Sequence, residues 1–264
     1  MKSLFKVKFI FLSLVFCISN QSFTQTKEIS NIEKNLVKIY DKLTSFEQDN
    51  YDSIGFYSNK FDKEFSDLIE NTPETIDYPF NELIKNNPHF VKTSNDGNFR
   101  IYSWDTEMGG TMHFFKNIYQ WKSNGKVFTQ IPYDEGGDAR SFCSDIFTID
   151  INKKTYYLAI TNAIFSTKDA MQSIAAYTIT DNKLDSTVQL FKTKTKELNS
   201  INVEFDFFSV VDRPERPVKL ITYDDKQKII RIPVVNKKGK VTKKNILYQL
   251  KNQKFEFIRI EKGK

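Results

Sequence analysis

The sequence predicts an α+β protein: an N-terminal helical segment followed by a large antiparallel β domain. Two observations carry this. Before residue 99 the apolar residues recur at helical spacing. From Phe99 onward they alternate or gather in short aromatic and β-branched runs, separated by Asn, Asp, Lys and Gly turns. The chain of 264 residues divides accordingly into residues 1–24, 25–98 and 99–264.

Residues 1–24 have the three-part layout of a signal peptide. Lys2, Lys6 and Lys8 precede a short apolar run, Phe9 to Ile18, and a polar stretch with Ser22 and Thr24 at cleavage spacing. The run is too short for a membrane span. Phe16 stands where a lipidated Cys17 would need a small neighbour, which argues against a lipoprotein. The sequence therefore predicts an exported protein, periplasmic or secreted, with no transmembrane span after cleavage.

Removing these residues takes three lysines and no acid. The mature chain keeps 36 basic against 33 acidic residues, a net of +3 rather than +6. No basic run carries interleaved aromatics, so nucleic acid is not an expected partner. Only Cys143 remains of two cysteines, which excludes an intramolecular disulfide. The Lys- and Asn-rich, Arg-poor composition fits, by association, a bacterium with a low-GC genome.

In the helical segment, Ser30-Asn31-Ile32-Glu33 reads as a capping box that would start the first helix. Ile32, Leu36, Ile39, Leu43 and Phe46 form its apolar stripe. A second helix is predicted from Asp52 to Glu70, with Ile54, Tyr57, Phe61, Phe65 and Leu68 on one face, stopped at Asn71-Thr72-Pro73. A third covers Pro79 to Lys85. The stripes are too short for a sustained coiled coil and suit helices packed on each other and on the β domain.

Phe99 to Trp104 alternates as a strand. Asp105 to Thr111 (DTEMGGT) breaks it, and His113 to Trp121 resumes. Asn124-Gly125 predicts a hairpin turn into Val127–Tyr133. From Asp145 to Lys192 the rhythm is that of a meander, with Thr155–Thr161 and Ala163–Ser166 as separate pieces. Ile201–Val211, Val218–Tyr223, Ile229–Val235, Val241–Leu250 and Phe255–Ile260 follow. Sets of about four strands suggest blade-like meanders, a partial propeller or a two-sheet architecture, but no WD or kelch signature is present.

Zinc motifs, a P-loop, GxSxG and a dinucleotide fingerprint are missing, so no catalytic residue, metal or cofactor is assigned. A Cys143–His113 pair is formally possible, but SFCSDIF reads as a buried strand. Asp134–Arg140 (DEGGDAR) is acidic with glycines, yet lacks the EF-hand spacing. Two of six arginines, Arg213 and Arg216, share one loop, where Asp212 and Glu215 stand ready to pair with them. The candidate ligand-binding residues are Trp104, Asp105, His113, Asp138, Arg140, Arg213 and Arg216, with Glu107, Gly109 and Gly110 on the same rim. The expected function is a non-catalytic binding or interaction module for a small ligand, a glycan or a protein partner. The alternative is a glycosidase-like hydrolase using two acids among Asp105, Glu107, Asp138, Glu204 and Asp206.

Overall fold

The computed structural model describes residues 25–45, 50–133 and 137–263. The signal-peptide reading, Phe46 and the first part of the acidic loop lie outside the described residues.

Helix α1 spans residues 25–43 and buries Leu36, Ile39 and Leu43, as the stripe requires. It begins upstream of the Ser30–Glu33 box, so that box does not cap it. Glu33 instead lies 2% exposed and reaches across to α3 (Asn81–Asn86). Its carboxylate accepts from the Glu82 and Leu83 backbone N–H groups at 2.9 and 3.2 Å, and from the Tyr78 hydroxyl at 2.7 Å. It caps another helix through space, satisfying donors that a helix start leaves orphaned. Helix α2 (Tyr51–Asn71) ends before a 3₁₀ turn at Pro73–Ile76. Phe61 and Phe65 are fully buried. Burying side chains of this size contributes about 1.5–3 kcal/mol each.

Among the described residues the β domain contains three sheets. The first runs β1 (Val91–Thr93), β2 (Phe99–Asp105), β3 (Phe115–Ser123) and β4 (Lys126–Gln130), all antiparallel. The Asn124-Gly125 turn has positive φ at both residues, as a tight hairpin needs. The second sheet contains β5 (Phe142–Ile151), β6 (Lys154–Ile164), β7 (Asp169–Thr180) and β11 (Ser200–Asp206), with β8 (Lys183–Asp185) attached to β7. The two pieces expected between Thr155 and Ser166 form one strand, β6. The third sheet orders β10 (Glu197–Leu198), β9 (Phe191–Lys192), β15 (Lys254–Lys262), β14 (Val241–Lys251), β13 (Ile229–Val235) and β12 (Thr222–Asp224). Its β9–β15 pair is parallel.

These elements stack in layers. The helices bury Phe61, Phe65 and Leu36 against Tyr102, Trp104 and Ile118 on one face of the first sheet. The other face, carrying Phe99, Ile101 and Trp121, packs on Ile146, Tyr157 and Ala159 of the second. The alternate residues Leu158 and Ile160 face Ile230, Ile232 and Phe255 of the third. Strands β2 and β6 are therefore covered on both faces, which is why the β6 sequence reads as nearly continuous apolar residues. Among the described residues no helix is long and apolar enough to cross a membrane.

Candidate functional site

A cleft of about 370 Å³ opens where the edges of the first two sheets meet the loop of residues 212–221. His89 and Lys92 enter it from the start of β1, Ser144 and Asp145 from β5, and Gln172 from β7. Glu215, Arg216, Pro217 and Lys219 close it from the loop. The β5–β6 register shifts between Cys143 and Asp145. Such a bulge puts an extra residue on the strand and re-aims its neighbours, here letting consecutive residues Ser144 and Asp145 both face the cleft.

Gln172 holds the loop in place. Its amide oxygen accepts from the Leu220 and Ile221 N–H groups at 3.1 and 2.6 Å. Its amide nitrogen donates to Val218 O at 2.9 Å and to Asn162 Oδ1 at 2.7 Å. Arg216 steadies the same loop: its guanidinium donates to the carbonyls of Val211 and Glu215, each at 2.8 Å, and of Arg213. It also lies over the Phe207 ring, 5.3 Å from the centroid. The expected pairing with Asp212 or Glu215 carboxylates is replaced by these carbonyl contacts. With Arg216 engaged in its own loop, Lys92 and Lys219 are the cations turned to the cleft. Asp145 and Glu215 are its two carboxylates.

His89 packs on Phe142 with ring centroids 5.1 Å apart. Its Nδ1 is buried and has no hydrogen-bond partner among the described residues. Burial, then the neighbouring Lys92, holds its pKa below the ordinary histidine value, while Asp145 opposes this.

The rim read from the sequence forms a second, smaller hollow of about 90 Å³, lined by Asp105, Glu107, Gly109, Gly110 and His113 with Leu43, Thr44 and Ile54 of the helical layer. His113 Nδ1 is hydrogen-bonded to the Asp105 carboxylate, and this pair raises the histidine pKa against the effect of burial. Burial, then Asp105, raises that of Glu107. Gly109 is required sterically: a Cβ there would lie 1.8 Å from Met112 O, whereas one at Gly110 meets nothing within 4 Å. The rim reading included Trp104, but its side chain is 1% exposed in the helix–sheet core, so it cannot stack on a ligand.

The remaining candidates disperse. Asp138 accepts from the Arg140 N–H at 2.9 Å, and the Arg140 guanidinium donates to Pro132 and Tyr133 carbonyls, so both serve their own loop. Arg213 faces a different concavity from Arg216. Glu204 and Asp206 line a hollow that contains neither Asp105 nor Glu107. Cys143 is fully buried, and burial pushes its thiol pKa up to about 12, so it is no activated nucleophile. Among the described residues no group of three or more His, Cys, Asp or Glu is placed to hold a metal ion. Sequence reading missed Lys92, Asp145, Gln172 and Lys219. Each is ordinary locally, and only sheet stacking brings them together. Compared with protein-family models and with curated proteins, the chain matches none of them.

Proposed function

We propose that the protein is an exported, non-catalytic binding module that captures a small acidic ligand in the cleft between β1, β5 and the 212–221 loop. The observation that carries this reading is the cleft's combination of size and charge. Its 370 Å³ falls within the range of small-molecule sites, and Lys92, Arg216 and Lys219 outnumber Asp145 and Glu215 on its lining, leaving one net positive charge. A carboxylate ligand would meet both lysines.

The hydrolase reading would need one of two carboxylate pairs. Asp105 and Glu107 share a hollow of about 90 Å³, well short of a sugar ring with its neighbours, and in the larger hollow of Glu204 and Asp206 the Asp206 carboxylate is engaged with the Phe208 N–H at 3.0 Å and with Lys168 at 4.0 Å, so binding is the better account.

Isothermal titration with galacturonate and citrate tests the proposal, with galactose as the neutral control. Lys92→Ala should weaken binding of the acids about tenfold, the loss of one charge-assisted hydrogen bond. Failure of both acids to bind the wild-type protein would remove the reading.

A further inference from the structure

Beyond Lys219, on the side away from the cleft, lies a larger groove of about 760 Å³. Its walls are the segment around Ser209 and Arg213, strands β13 and β14, and the end of β15. Among the described residues, five cationic ones line it, Arg213, Lys219, Arg231, Lys243 and Lys262, and no acidic one does. Arg231 is compensated by Asp224 at 3.9 Å and Glu261 at 3.4 Å. The other four have no ion pair among the described residues.

A chain with a mature excess of only three positive charges has therefore gathered four uncompensated cations around one concavity. A groove of about 760 Å³ with cations contributed by the loop, β14 and the end of β15 is complementary to a ligand that carries repeated charges. Among the described residues no aromatic side chain lines the groove, which leaves nothing there for nucleobases to stack on. Thr222 and Asn245 supply hydrogen-bonding groups of the kind that hydroxyl-rich chains use.

We propose that this groove binds an acidic polysaccharide, one bearing carboxylate or sulfate groups along its length. The proposal shares Lys219 with the small-ligand reading of the cleft but does not rest on that reading, because Arg213, Lys243 and Lys262 do not line the cleft.

The test is binding of heparin oligosaccharide and of polygalacturonate to the full mature chain, at about 50 and about 200 mM salt. The wild type should bind at least one of them, more weakly at the higher salt. The double variant Lys243→Glu/Lys262→Glu should lose at least tenfold in affinity, and Lys126→Glu, a charge reversal at an exposed site that lines neither cavity, should retain it. Both lysines are exposed, and the milder Lys243→Gln/Lys262→Gln pair should show a smaller loss in the same direction. The proposal is overturned if the wild type binds neither polysaccharide, or if charge reversal leaves affinity unchanged. It is overturned equally if single-stranded RNA or phosphatidylserine vesicles bind this groove more tightly than either polysaccharide.

Discussion

Gln172 on β7 accepts the backbone N–H of Ile221 at 2.6 Å, and through that bond a central strand fixes the loop that closes the cleft. The amide is 2% exposed and makes four hydrogen bonds, three of them to the 218–221 backbone. Replacing it with leucine strands those backbone groups away from water. Each unsatisfied buried group costs about 1–3 kcal/mol. Gln172→Leu is expected to destabilise the protein by about 2–4 kcal/mol and to abolish acid binding in the cleft. Urea unfolding with titration calorimetry measures both; unchanged stability would show that the loop is held otherwise.

Glu33 offers a parallel test at the other end of the molecule. Glu33→Ala removes the acceptor for two backbone N–H groups and one hydroxyl in a buried setting. Loss of a helix cap costs about 0.5–2 kcal/mol, and the partly buried Tyr78 hydroxyl adds to it. A denaturation midpoint indistinguishable from wild type would refute the cross-helix cap.

The two histidines should titrate on opposite sides of 6.5, their ordinary value. His113 is raised by its Asp105 hydrogen bond. The stability it contributes is complete below about pH 6.5 and is lost as pH rises through its higher folded value. His89 is lowered, chiefly by burial, so its charging costs stability in acid and that cost disappears as pH rises past 6.5. NMR titration of the two imidazoles separates them. In Asp105→Asn the His113 value should fall while that of His89 stays; a coincident shift of both would contradict the separate sites.

At the Gly-Gly pair the two glycines should behave differently. Gly109→Ala forces Met112 O away from a Cβ that would sit 1.8 Å from it, and overpacking of this kind costs about 1–3 kcal/mol. Gly110→Ala has open space and should stay within about 0.5 kcal/mol of wild type. Thermal melts of the two variants decide it.

Cys143 should resist iodoacetamide in the native protein and react only on unfolding, since burial holds its thiol pKa near 12. Mass spectrometry of the alkylated peptide reads this out. Native-state labelling at the unfolded rate would disprove the burial.

Periodicity by itself determined the helices, the Asn124-Gly125 hairpin and the position of most strands. Those depend on steric preferences acting over a few residues. It also placed Asp105, Glu107, Gly109 and His113 together, because a single loop carries them all. It misassigned Glu33, whose partners lie 45 to 50 residues away. It placed Trp104 on a rim because alternation distinguishes two faces of a strand but not which face another layer will cover. The cleft was out of reach for the same reason: His89, Asp145, Gln172 and Lys219 come from four segments that meet only when the first two sheets and the loop dock. That docking is decided by many weak apolar contacts between residues distant in sequence, and no short stretch of the chain records their sum.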